Sequence, residues 1–142
     1  MSLYRIIFAL VASVILVKVS SKSAKQIVKV PPEVAEPILK GMAKCIDETK
    51  NTEEVWQRIR EVKYNSDEKF KEFLYCASVT NGFFHKSGHA IIEKLLELFP
   101  KKAEMKSILE NCDHGQGDSA VDICYQFHKC YQDNSPVYLS FD

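Results

Sequence analysis

The chain has 142 residues, in which 19 Lys and Arg residues balance 19 Asp and Glu residues, so the formal net charge is zero. A chain of this length builds one domain around one core. Because the charge is balanced and the basic residues form no dense cluster, the sequence argues against nucleic acid as a partner.

A run of twelve apolar or small residues, 6–17, lies near the N-terminus and carries no charge. This run is too short to span a bilayer. Arg5 precedes it and Lys18 follows it, a pattern that is typical of a secretory signal peptide. A membrane anchor or a buried first helix is the alternative.

We expect cleavage near Ser21, with Ala24 as the second choice, which leaves residues 22–142 as a single secreted, extracellular domain. Removal of residues 1–21 takes away two basic residues and no acidic residue. The mature chain then has 17 basic residues against 19 acidic ones and a net charge of −2. This charge argues against attack on anionic lipids, and no stable membrane insertion is expected.

Beyond this run, apolar residues recur at helical spacing and no stretch alternates as a strand would, which predicts an all-α fold of about six helices. The first helix begins at Pro31 and Pro32, and Pro37 either kinks it or marks its true first turn. Asn51 or Thr52 caps a second helix. Asn65 or Ser66 caps a third helix, which ends near residues 81–82.

The fourth helix is predicted to start near Ser87 and to end before Pro100, which cannot continue a helix. A fifth helix ends at the turn formed by residues 115–117. Ser119, with Asp122 three residues later, resembles a capping box for the sixth helix.

The C-terminal tail, residues 135–142, carries three large apolar side chains, so we expect it to pack on the body of the protein. The helical side chains expected to face inward are Val34, Ile38, Met42, Cys45, Ile46, Val55, Ile59, Val62, Phe70, Phe73, Leu74, Ala77, Ile91, Ile92, Leu95, Leu98, Phe99, Met105, Ile108, Leu109 and Cys112.

The five cysteines are Cys45, Cys76, Cys112, Cys124 and Cys130. In an exported protein cysteines usually pair as disulfides. An odd number leaves at least one thiol unpaired within the chain, and spacing alone does not select the pairs.

The cysteine spacing resembles that of the insect odorant-binding proteins of the PBP/GOBP family, small secreted six-helix proteins that usually contain six cysteines. Cys45 matches the first family cysteine. Cys76 matches the third, because Gly82 and Phe83 follow it at the distance at which family members usually have a glycine after their third cysteine. Cys112 matches the fourth, and an aromatic-rich run leads to Cys130, which matches the sixth.

The second and fifth cysteine positions of the family fall on Glu72 and Val121. In the family these two cysteines bond to each other, so both ends of one disulfide are absent together. This paired absence is the mark of the Minus-C subgroup. Without this disulfide, we expect the third and sixth helices to be held only by packing and to separate more easily.

The resemblance implies two structural disulfides, Cys45 with Cys76 and Cys112 with Cys130, and leaves Cys124 as a free thiol. A different pairing that uses Cys124 stays open, because this residue lies close to one helical turn after the fifth position. An exposed Cys124 would also allow a homodimer.

The resemblance further implies an apolar cavity between the helices and a non-enzymatic carrier of small hydrophobic ligands, such as an odorant, a pheromone or a lipid-like molecule. No cofactor or metal is expected. Tyr125 is the predicted hydroxyl partner of the ligand, and the tail is predicted to close the cavity. The residues predicted to line the cavity are Phe84, Ile91, Leu95, Met105, Leu109, Val121, Cys124, Tyr125, Phe127, Tyr138, Leu139 and Phe141.

The main alternative is a secreted, disulfide-linked helical protein with a filled core that acts on membranes, in the manner of saposins, or as an interaction module. An enzyme that uses Cys124 as its nucleophile and His128 as its base is a further alternative, but the sequence identifies no carboxylate that would orient the base. A zinc site is another alternative: the residue types are ones that zinc binds, but their spacing is not that of a known zinc finger. Its ligands would come from Cys112, Asp113, His114, Cys124, His128 and Cys130.

Four histidines add the hypothesis of a pH switch. Histidine changes its charge between pH 5 and 8, and such a change would loosen the cavity near an acidic surface. The alternative is that these side chains are merely solvated. The four residues are His85, His89, His114 and His128.

Overall fold

The computed structural model describes residues 24–61, 63–64 and 66–142. The predicted signal peptide, residues 1–21, lies outside the described residues. The described residues form six helices, so the predicted all-α class is confirmed. The helices are α1 (Pro32–Glu48), α2 (Glu54–Arg60), α3 (Glu68–Thr80), α4 (Ile92–Leu96), α5 (Lys102–Cys112) and α6 (Ala120–Asn134).

The ends of the helices follow from local side-chain chemistry. Pro32 occupies the first turn of α1, where its missing N–H costs nothing, and Pro37 lies inside this helix. Ser119 caps α6 as predicted, because its hydroxyl accepts a hydrogen bond from the Asp122 amide at 3.2 Å; the same hydroxyl donates to the Asp122 carboxylate at 2.9 Å. The cap of α3 is Asp67, later than predicted, and its carboxylate accepts from the Lys69 amide at 3.3 Å.

The predicted start of α4 near Ser87 is wrong, because the helix begins only at Ile92. The preceding segment folds into a tight loop, in which Phe84 and Ala90 pair as an antiparallel bridge. Gly88 has a φ of +91° in this loop, and a Cβ on it would lie 2.2 Å from the carbonyl oxygen of Ala120. The loop therefore packs against the start of α6, and its backbone is not helical.

The expectation that the chain forms no strand is also wrong. Residues Gln26–Lys29 form strand β1, and residues Val137–Ser140 of the tail form strand β2. The two strands are parallel, with Gln26 opposite Val137 and Lys29 opposite Ser140. The tail packs on the body of the protein, and it does so by pairing with the segment that precedes α1.

The buried side chains form two clusters. The first is built mainly on α1 and α3, around Phe70 and Phe73, and the second mainly on α5 and α6, around Met105 and Leu109. These four side chains are at most 1% exposed. Each cluster is cross-linked by one disulfide, the first between α1 and α3 and the second between α5 and α6. The disulfides are Cys45 with Cys76 and Cys112 with Cys130.

Candidate ligand-binding cavity

A cavity of about 180 Å³ lies where the two clusters meet. Most of its wall is apolar. All six helices contribute to it, α2 through Ile59, and β2 and the segments between helices complete it. The lining residues are Lys25, Ile38, Met42, Ile59, Tyr64, Phe73, Leu74, Ala77, Ser78, Asn81, Phe83, Phe84, Leu95, Leu98, Phe99, Leu109, Phe127, His128, Tyr131, Gln132, Val137, Tyr138, Leu139 and Phe141.

The structure brings seven of the predicted lining residues to the cavity wall and places five elsewhere. Those on the wall are Phe84, Leu95, Leu109, Phe127, Tyr138, Leu139 and Phe141. Those that do not line the cavity are Ile91, Met105, Val121, Cys124 and Tyr125.

The five residues off the wall have separate reasons for their positions. Met105 and Cys124 are fully buried within the second cluster. Tyr125 packs against the first cluster, and the ammonium of Lys71 lies 5.3 Å from the centre of its ring. Ile91 precedes the shortened α4, and Val121 lies in the first turn of α6.

The tail is held against the cavity by tyrosine hydroxyls that donate to backbone oxygens. Tyr138 donates to the oxygens of Ile59, at 3.2 Å, and Arg60, at 3.3 Å, where α2 ends. Tyr131 of α6 donates to the oxygen of Val137 at 3.1 Å. These bonds fix the apolar side chains of β2 on the wall.

The main polar contact on the wall joins α3 to α6. Oγ of Ser78 lies 2.8 Å from Nε2 of His128, and the ring of Phe84 stacks on the imidazole with ring centres 5.3 Å apart. Burial lowers the pKa of His128 to about 4. His128 therefore stays neutral between pH 5 and 8, and the prediction that it charges in this range is wrong.

Cys124 is the free cysteine of the described residues, and it is buried. Burial raises the pKa of its thiol to about 12, although a hydrogen bond with Ser78 opposes the shift. A buried, protonated thiol is a poor nucleophile, and it is not available to link two copies of the chain. Cys112 and Cys130 are joined in a disulfide, so they do not supply thiolates to the zinc site considered above.

Sequence reasoning missed several lining residues. Ile38, Met42, Phe73 and Ala77 were predicted only as inward-facing, and helical periodicity gives no means to separate a wall from a core. Tyr64 lies between α2 and α3, where no periodic pattern marks it.

These features define a small, disulfide-linked helical protein of the odorant-binding class. The model of the PBP/GOBP family matches residues 28–134, and the chain belongs to this family. Members of the family are carrier proteins and not enzymes. Among the helices of the described part of the chain, none has both the length and the apolar character that crossing a membrane requires.

Solved insect structures share the fold. The odorant-binding protein lmigOBP1 of Locusta migratoria is 25% identical, with a TM-score of 0.65 over 77% of this chain and 87% of that chain. The fatty acid binding protein OBP56a from the oral disk of the blowfly Phormia regina is 18% identical, with a TM-score of 0.63 over 75% and 95%. The medfly protein CcapOBP22/CcapOBP69a is 21% identical, with a TM-score of 0.58 over 70% and 89%.

Proposed function

We propose that the protein is a secreted carrier that binds one small hydrophobic molecule in the cavity and transports it through aqueous fluid. The observation that carries this proposal is the cavity of about 180 Å³ between the two clusters, with its mainly apolar wall. An apolar ligand gains roughly 25 cal/mol for each Å² that it removes from water. An odorant, a pheromone or a lipid-like molecule fits this chemistry.

The energetics of the cavity support the same function. An apolar space of about 180 Å³ that no side chain fills forfeits up to about 4 kcal/mol at roughly 24 cal/mol per Å³. The two disulfides close loops whose ends are 31 and 18 residues apart, and each stabilises the fold by roughly 3–4 kcal/mol. The cross-links therefore offset the cost of leaving the space unfilled.

The cavity volume limits the size of the guest. A protein cavity of about 150 Å³ accommodates benzene, so the present cavity accepts a molecule slightly larger than benzene without rearrangement. A longer ligand requires the tail to move, because the side chains of β2 form part of the wall.

We further propose that the protein is a member of the Minus-C subgroup and acts outside the cell. The absence of cysteine at both Glu72 and Val121 supports the first proposal. The two disulfides suit an oxidising compartment, which supports the second together with the predicted signal peptide.

Titration of the mature protein with the fluorescent apolar probe N-phenyl-1-naphthylamine tests the carrier function. This probe is larger than benzene, so the tail moves to admit it; we expect saturable binding of one probe per chain and displacement by small apolar molecules. Leakage of dye from lipid vesicles, without saturable probe binding, would instead support the membrane-active alternative. The cavity argues against that alternative, which requires a filled core.

A further inference from the structure

We propose that Tyr64 and His128 together form the polar recognition point of the cavity and select a ligand with one uncharged oxygen acceptor, such as a ketone or ester carbonyl. This inference rests on the proposed function. It adds the chemical class of the ligand and the residues that choose it.

Most polar side chains on the wall are already engaged within the protein. The hydroxyl of Tyr131 donates to a backbone oxygen of the tail, and the hydroxyl of Tyr138 donates to a backbone oxygen in the last turn of α2. The amide of Asn81 donates to the oxygens of Ala77, at 2.9 Å, and Ile38, at 3.3 Å. These groups hold the wall together and are not available to a guest.

Two groups on the wall are not engaged in this way. Within the described part of the chain, the hydroxyl of Tyr64 has no hydrogen-bond partner, and the imidazole of His128 has one, through Nε2. The centres of the two rings are 6.4 Å apart, so both rings border the same part of the cavity. The hydroxyl of Tyr64 and Nδ1 of His128 therefore keep hydrogen-bonding capacity on the wall that a ligand can use.

The hydrogen bonds around Ser78 determine which nitrogen of His128 carries the proton. Ser78 contacts both the thiol of Cys124 and Nε2 of His128, and it has a single hydroxyl proton. All three groups are satisfied when the thiol donates to Ser78 and Ser78 donates to Nε2. This arrangement leaves the proton of the imidazole on Nδ1, which has no other partner within the described part of the chain and can donate to a ligand beside this wall residue.

Tyr64 supplies a second donor. Burial raises the pKa of its hydroxyl well above the usual range, so the group stays protonated at any physiological pH. Two neutral donors on one part of the wall suit a ligand oxygen that accepts, and a carbonyl oxygen accepts two hydrogen bonds.

A carboxylate is the competing ligand chemistry, because its burial requires a cation. Lys25 lies on the wall, and its ammonium donates to the backbone oxygen of Gln132, near the end of α6. Tyr64 and His128 carry no charge to balance a carboxylate. We therefore assign the ligand to the uncharged class.

Acetophenone and α-methylstyrene test the proposal, because they share one shape and differ by a carbonyl oxygen in place of a methylene group. We expect Tyr64→Phe to weaken acetophenone binding about fivefold, as loss of one hydrogen bond does, and to leave α-methylstyrene within twofold. His128→Phe, which keeps a ring against Phe84, should act in the same direction. Tyr125→Phe is the matched control, because this hydroxyl lies off the wall and its removal should change neither affinity.

Equal loss of both ligands in Tyr64→Phe would overturn the inference, since the side chain would then act only through shape. Tighter binding of benzoate than of acetophenone, abolished by Lys25→Met, would overturn it in favour of an anionic ligand. In both cases N-phenyl-1-naphthylamine still binds and the carrier function stands. Failure of the wild-type protein to bind either acetophenone or N-phenyl-1-naphthylamine would refute the carrier function itself.

Discussion

Oγ of Ser78 lies 2.8 Å from Nε2 of His128, and this hydrogen bond joins α3 to α6 inside the protein. Nearer the surface, the ammonium of Lys71 lies 3.0 Å from the carboxylate of Asp122 and joins the same two helices. The Minus-C assignment proposed above places the missing disulfide between these helices. Polar contacts and packing therefore hold α3 against α6, a role that a disulfide has in six-cysteine relatives.

Restoring the missing disulfide should stabilise the protein. We expect Glu72→Cys combined with Val121→Cys to form a third bridge, which closes a loop of about 49 residues and adds about 4 kcal/mol to the free energy of unfolding. Thermal unfolding with and without reductant measures the gain, and peptide mapping identifies the bond. Each single variant is the control. Failure of the two new thiols to join would contradict the assignment of these positions.

Removal of either existing disulfide should destabilise the fold. Replacement of Cys45 and Cys76 by serine should cost about 3–4 kcal/mol, and the same change at Cys112 and Cys130 slightly less, because the second pair is 18 rather than 31 residues apart. Guanidinium unfolding measures both losses. A loss below about 1 kcal/mol for both pairs would show that neither bridge offsets the cost of the cavity.

Cys124 should not react with thiol reagents until the protein unfolds. The residue is buried, and burial raises the pKa of its thiol to about 12, so almost no thiolate is present at neutral pH. We expect no reaction with Ellman's reagent under native conditions and one thiol per chain in guanidinium. Rapid labelling of the native protein, or a disulfide-linked dimer that reductant converts to monomer, would mean that the side chain is accessible.

Stability should fall in acid because of His128. Its pKa is lowered from 6.5 to about 4 in the folded state, so the unfolded chain takes up a proton first as the pH drops. Folding stability is therefore lost progressively from about pH 6.5 to pH 4, by up to about 3 kcal/mol. His128→Phe should flatten this part of the stability profile, as measured by denaturant unfolding at several pH values. An unchanged acid dependence in the variant would rule out this cause.

Much of the helical fold follows from local sequence signals. Pro32 starts α1, and Ser119 with Asp122 caps α6, because these residues act on backbone groups of their own turn. The pairing of β1 with β2 depends on contact between the two ends of the described chain, which no local pattern encodes. The late start of α4 depends on the approach of Gly88 to Ala120.

The cavity was harder to predict than the helices around it. Met105 and Leu109 lie one turn apart on α5 and are both fully buried, yet Leu109 lines the cavity and Met105 does not. Hydrophobic periodicity reports that a side chain faces inward, but it does not report whether atoms or empty space lie in front of it. Tyr64, one of the lining residues that the sequence analysis did not name, lies in a connection where periodicity gives no signal.

The most direct test of the carrier function is to fill the cavity and measure binding. Leu95 lies on the wall, so Leu95→Trp should occupy the space that a guest needs, while Tyr125→Trp adds bulk off the wall. The account predicts one N-phenyl-1-naphthylamine per chain for the wild-type protein and the Tyr125 variant, and at least tenfold weaker binding for Leu95→Trp. Undiminished probe binding by a folded Leu95→Trp variant would contradict it.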